Sequence, residues 1–159
     1  MDAFDDAIVS FWKTLRLRGV KYIVIGGFAV NLHGYFRFTD DLDIWIDDTS
    51  DNCKALQDAF IDSEVAGLSN SLSTPVNCTQ GPFLLPNSLR LELHVRMHGL
   101  EDHTFNECLA LASIADIESV EVPFLNLNQL VQNKKTFNRP LDQLDVDALE
   151  QIIKIREEE

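Results

Sequence analysis

Apolar and polar positions along this chain follow two rhythms, and the switch between them marks out its elements. Over residues 4–18, Ala7, Ile8, Phe11, Trp12 and Leu15 recur near a 3.6-residue period, which predicts an amphipathic helix closed by Gly19. The mostly apolar run at 20–25 predicts a buried strand ended by Gly26 and Gly27. A short helix is expected over 28–33, with Gly34 behind it, and a second strand over 42–46. Asp47, Asp48, Thr49 and Ser50 offer a turn and an N-cap for a helix near 51–61. Small and polar residues dominate 62–87, where only a short strand at 83–85 is expected. Over 88–95, Leu89, Leu91, Leu93 and Val95 alternate with Arg90, Glu92 and His94. That is a period-two strand with one apolar face and one face of charged or titratable groups. A helix over 105–112, an extended stretch at 120–125, a helix from about 127 capped by Asn126, and a last helix over 141–156 complete the pattern.

This order predicts an α/β (α+β) fold, a small mixed, twisted sheet flanked by helices. No repeat, low-complexity tract or second boundary interrupts it. The 159 residues are expected to form one domain, with a core at about 20–100 and a C-terminal helical element at about 126–156. Hydrophobic residues at 45% and charged residues at 25% exclude a disordered chain. No apolar run nears the ~20 residues of a membrane span, and the start lacks the basic region of a secretory signal. A cytoplasmic protein with no membrane partner is expected. The formal charge of −13 opposes broad binding of long nucleic acid, but leaves room for a small nucleotide held by a metal and local cations. Cys53, Cys78 and Cys108 are widely spaced and form no CxxC pair, so neither a zinc site nor a disulfide framework is predicted.

The chemistry concentrates at Gly26-Gly27 and Asp41-Leu42-Asp43-Ile44. On a strand, Asp41 and Asp43 share a face. Two such charges about 5 Å apart repel by roughly 3 kcal/mol at an effective dielectric of ~20. Leu42, Ile44, Trp45 and Ile46 argue against a solvated turn, so the pair needs something positive, and a divalent metal such as Mg²⁺ suits oxygen donors. The two glycines allow a tight turn and a close approach of backbone N–H groups to phosphate. Should the strand at 88–95 lie beside the aspartates, Glu92 joins them; otherwise it is a surface acid facing Arg90. His94, on the same face, is either a hydrogen-bonded surface residue or a proton acceptor. Arg37 either pairs with Asp40 or binds phosphate. His33 is expected to pack against or cap the short helix, and Asp142 and Asp145 to pair with Lys134 and Arg139.

These residues resemble the nucleotidyltransferase superfamily, the polymerase-beta-like fold. Its pattern is an apolar residue, Gly-Gly or Gly-Ser, a spacer, then Asp-apolar-Asp/Glu-apolar. Thirteen residues separate Gly27 from Asp41 here, at the upper end of that spacing. The run through Gly26, Gly27, Ala29, His33, Gly34, Arg37, Thr39, Asp41, Leu42 and Asp43 looks closer still to a small bacterial branch related to abortive-infection and minimal nucleotidyltransferase toxin proteins. Lys134, Arg139, Asp142 and Asp145 resemble that family's late Lys-Arg-Asp-Asp element.

The resemblance implies transfer of a nucleoside monophosphate from an NTP such as ATP to a hydroxyl acceptor, with pyrophosphate released. It implies Asp41, Asp43 and Glu92 as catalytic residues and ligands of one or two Mg²⁺ ions. Gly26, Gly27, Arg37, Lys134 and Arg139 would lie against the nucleotide. Glu92 stands where the family usually has Asp. Two other outcomes follow from the same resemblance: a degenerate member acting as a nucleotide- or protein-binding toxin–antitoxin component, or an antibiotic nucleotidyltransferase. The acceptor is left open among a small molecule, an RNA end and a protein, its choice assigned to segment 62–87 and the C-terminal helices.

Overall fold

Strand β1 (Tyr22–Ile25) is buried along its whole length, as its apolar run requires, and lies near the middle of a seven-stranded mixed sheet. The computed structural model describes residues 5–67 and 82–158. In chain order it contains α1 (Asp6–Leu17), β1, α2 (Gly26–Leu32), β2 (Asp41–Ile46), α3 (Ser50–Asp62), β3 (Ala66–Gly67) and β4 (Phe83–Leu84). There follow β5 (Arg90–His94), α4 (Phe105–Leu111), β6 (Ser113–Ile117), β7 (Val120–Phe124), α5 (Leu127–Phe137) and α6 (Pro140–Glu157). The strand order is β3-β4-β5-β2-β1-β7-β6, with β1–β2 antiparallel and β2–β5 and β1–β7 parallel. Among the described residues no helix is long and apolar enough to cross a membrane.

Alternation assigns the two faces of the sheet. Tyr22, Val24, Leu42, Ile44, Ile46 and Leu91 share one face, and all are buried. Helices α1 and α3 cover it: Trp12 stacks on Tyr22 at 5.9 Å, Phe11 meets Phe60 at 6.2 Å, and Phe60 meets Phe83 at 4.9 Å. Each such buried side chain contributes about 1.5–3 kcal/mol relative to exposure. Caps fix the helix starts as the sequence suggests, with the Thr49 side chain accepting from Asn52 N–H and that of Asn126 from Gln129 N–H. The opposite face carries Asp41, Asp43 and Trp45, and it faces α4, α5 and α6 rather than the aromatic layer. Phe105 of α4 seals its apolar end, edge-on to Trp45 at 5.2 Å.

Four features depart from expectation, the first being the two-residue strand β3, where no strand was expected. The strand β6 has no counterpart in the sequence pattern. It forms a hairpin with β7 whose two-residue loop, Glu118 and Ser119, has positive φ at both positions. Such turns usually carry Asn or Gly, so the signal was missing. Helix α2 begins at Gly26, two residues earlier than expected. Cys53 is disulfide-bonded, which corrects the expectation of no disulfide, because spacing along a chain does not limit how near two cysteines come in space. Cys78 falls outside the described residues, and Cys108 is a free, buried thiol.

Helices α5 and α6 are joined to the α2–β2 loop by buried charge. Asp145, fully buried, takes Arg37 Nε at 2.7 Å and its second guanidinium nitrogen at 2.8 Å, and Lys134 Nζ at 2.9 Å. Lys134 also lies 3.3 Å from Asp142. His33, buried where α2 ends, donates from Nε2 to the Leu125 carbonyl at 2.7 Å and packs on Phe124.

Asp145→Ala removes the carboxylate shared by half-buried Arg37 and buried Lys134, leaving Lys134 with Asp142, so it should lower unfolding free energy by about 3 kcal/mol, read from urea denaturation midpoints. Burial holds the His33 pKa below the ordinary histidine value, opposed by the Leu125 hydrogen bond and reinforced by Arg156. The unfolded chain therefore takes up this proton near pH 6.5 while the folded one does not. The His33 contribution is intact above about pH 6.5 and declines as pH falls toward the lower folded value. Denaturation of wild type and His33→Gln at several pH values between 7.5 and 5 should show a shallower loss in the variant; parallel curves would contradict this.

Candidate active site

The parallel pairing of β2 with β5 sets Asp41 opposite Arg90, Asp43 opposite Glu92 and Trp45 opposite His94. All of these side chains share the face turned away from α1 and α3. One ligand atom each from Asp43, Glu92 and His94 lies within 4.8 Å of the others. His94 Nε2 is 2.9 Å from Asp43 Oδ1. Arg90 Nε sits 3.2 Å from Glu92 Oε1 and 4.0 Å from Asp41 Oδ1, so Glu92 both faces Arg90 and joins the cluster. Asp41 lines the same cleft without belonging to that group of three.

Electrostatics leave this corner short of positive charge. Burial pushes the Glu92 carboxyl above the ordinary glutamate range, and Asp43 and Asp41 push it further, with Arg90 opposing. Asp41 is also raised, by burial first and then by Asp40 and Asp43, again against Arg90. Two carboxylates and an imidazole aimed at one point are a donor set that fits a divalent cation.

Gly26 shapes the floor. Its φ is +65°, and a methyl group there would come within 2.9 Å of Asp43 Oδ2. A side chain at Gly27 would collide with Thr39 Oγ1 at 2.6 Å and lie 3.3 Å from the Arg37 guanidinium. The two glycines thus let the start of α2 lie against the Asp43 carboxylate and the Thr39–Arg37 strut. Only the first needs glycine for its backbone angle.

The cluster opens into a cleft of about 940 Å³, large enough for a nucleotide-sized ligand. Every residue that the sequence singled out for the site lines it: Gly26, Gly27, Arg37, Asp41, Asp43, Glu92, Lys134 and Arg139. Their states differ. Lys134 is buried in its pairs with Asp142 and Asp145, and Arg37 engages Asp145 in place of Asp40. The Arg139 side chain is 67% exposed, with Nε 2.6 Å from Asp142. Asp142 is buried, which alone would raise its pKa, but Arg139 and Lys134 hold it below the ordinary carboxylate range. Arg139 also lies over the Phe137 ring at 4.9 Å, with His98 edge-on to that ring at 4.9 Å. This aromatic wall was not legible in the sequence, since His98 and Phe137 are separated by α4, the β6–β7 hairpin and most of α5. The sequence left His94 as a hydrogen-bonded surface residue or a proton acceptor; its position two residues from Glu92 on one strand was the available signal for a ligand. Part of segment 62–87, assigned above to acceptor choice, lies outside the described residues.

No family model matches the chain, and no curated protein matches it in sequence. In fold, the chain is similar to a solved structure, an antigenic nucleotidyltransferase-like protein from Paracoccidioides brasiliensis, with a TM-score of 0.62 and 16% identity, over 90% of this chain and 72% of that one. The chain therefore has a nucleotidyltransferase-like fold, as its sequence pattern implied.

Gly26→Ala should cost about 1–2 kcal/mol through its left-handed backbone and displace the Asp43 carboxylate. Gly19 has a similar φ of +67° in open space, so Gly19→Ala is the matched control. Calorimetric titration with a divalent cation should show weakened binding in the first variant and unchanged binding in the second.

Proposed function

We propose that this protein is a metal-dependent nucleotidyltransferase, moving a nucleoside monophosphate from an NTP to a hydroxyl acceptor and releasing pyrophosphate. The observation that carries this is the β2–β5 register, which sets Asp43 beside Glu92 and His94 at the rim of a glycine-floored cleft. The nucleotidyltransferase-like fold supports it. Asp43, Glu92 and His94 would hold the cation, with Asp41 beside them. When bound there, a divalent cation would supply neutralisation of charge on the phosphoryl oxygens.

The chain's own residues supply orientation and proton handling. Arg139 and Arg96 present positive charge along the cleft for a triphosphate. Lys134 and Arg37 act at one remove: bound to Asp145, they fix the cleft wall formed by α5 and α6. A Glu92 carboxylate oxygen is assigned the acceptor's proton, on the ground of its place in the cluster at the rim of the cleft. The acceptor oxygen bonds to the α-phosphorus, the bond to the β-bridging oxygen breaks, and pyrophosphate leaves.

A second reading is favoured by the Arg90–Glu92 contact and by Asp41 standing outside the cluster. Both suit a member that binds a nucleotide or a protein partner without turnover, such as a toxin–antitoxin component of the small bacterial branch. The test is incubation with each labelled NTP, Mg²⁺ or Mn²⁺, and small-molecule, tRNA or protein acceptors. Wild type should transfer label, and Asp43→Ala should not while keeping its circular dichroism. Nucleotide binding with no pyrophosphate from wild type would select the second reading; label transfer by Asp43→Ala would rule out the first.

A further inference from the structure

We infer that this centre is built for a first-row transition ion, with Mn²⁺ as its reference, in preference to Mg²⁺, and that His94 Nε2 is a direct ligand. The inference rests on the metal-dependent reading above and names the cation it takes.

The case is one of donor chemistry. Mg²⁺ favours a near-ideal octahedron of oxygens and gives up its waters reluctantly. An imidazole nitrogen is a poor donor for it and a good one for transition ions, while Mn²⁺ also accepts carboxylates. The three groups that converge here are two carboxylates and one imidazole, within 4.8 Å of one another. The nitrogen that faces inward is Nε2, already 2.9 Å from Asp43 Oδ1. A hydrogen bond in that position places the ring where a cation would bind both groups together. The carboxylate that an all-oxygen site would use instead, Asp41, stands aside with Arg90 Nε 4.0 Å away. The strand register imposes this choice: Asp43 is flanked across the ladder by Glu92, and His94, two residues further on, shares the Glu92 face. The pairing of His94 with Trp45, which Phe105 packs against, keeps the imidazole end of the cluster beside a sealed apolar corner.

Titration of the full chain with Mn²⁺, followed by the free-ion electron paramagnetic resonance signal and then by competition with Mg²⁺, tests this without any turnover. Bound Mn²⁺ should show nitrogen hyperfine coupling in pulsed measurements and should resist displacement by equimolar Mg²⁺. His94→Ala should lose the coupling and bind Mn²⁺ more weakly by at least the roughly 10–100-fold that loss of an outer-shell partner costs, with Mg²⁺ affinity little changed. His94 is 38% exposed, so a folded variant is expected, and His94→Asn provides a second with a polar side chain. Bound Mn²⁺ without nitrogen coupling, or Mg²⁺ binding as tightly as Mn²⁺, would overturn the inference while leaving Mg²⁺-supported nucleotidyl transfer standing. Nitrogen coupling in wild type with no label transfer under either ion would instead remove the turnover reading and keep the metal assignment. Absence of any Mn²⁺ binding would overturn the inference and leave the transfer reading to the label assay with Mg²⁺.

Discussion

The parallel ladder between β2 and β5 is the constraint on which the rest of the molecule turns. Its register puts like charge against like charge, Asp43 across from Glu92, on a face that the sheet does not bury in its main aromatic layer. A ladder slipped by one residue would send Glu92 and His94 into the core and bring Leu91 and Leu93 to the cleft. The hydrophobic alternation of β5 forbids that slip, since Leu89 and Leu91 are nearly fully buried. The fold thus holds an unfavourable carboxylate pair in place with the same apolar contacts that stabilise the sheet. Arg90 relieves part of the repulsion from the solvent side, and the pKa values of Glu92 and Asp41 remain raised all the same.

Charge on the far side of the cleft is arranged oppositely. There the cations are matched by acids: Lys134 and Arg37 by Asp145, and Arg139 and Lys134 by Asp142. A buried network of this kind is weak evidence for net stability, because desolvation offsets much of the attraction. Its consequence is geometric. Arg37 ties the loop between α2 and β2 to α6, and Lys134 ties α5 to the same carboxylate, so the cleft has a wall of fixed position opposite the acidic strands. Of these three cations, Arg139 is the one that keeps most of its side chain exposed, stacked on Phe137 and available to an anionic ligand.

Much of this was legible along the chain because it depends on neighbours in sequence. Helix α1 with its Gly19 stop, the buried run of β1, the Thr49 and Asn126 caps and the alternation of β5 are local patterns of burial and hydrogen bonding, and local patterns survive in a linear text. So did the presence of Asp41 and Asp43 on one face, since strand geometry alone sets it. The β6 strand escaped because an edge strand needs little apolar alternation and its turn uses Glu118 and Ser119 in place of glycine or asparagine. The disulfide at Cys53 escaped because sequence spacing does not encode distance.

What the sequence determined by itself was the supply of parts: a glycine floor, two aspartates on one strand, a strand with a titratable face, and two late helices carrying paired charges. Tertiary structure alone decided which of those parts meet. It placed His94 in the cluster and left Asp41 at its edge, gave Arg37 to Asp145, 108 positions away, and set Phe137 between His98 and Arg139. The physical reason is that these contacts depend on strand register and helix docking, which the whole hydrophobic core fixes together, and no stretch of a few residues carries that information.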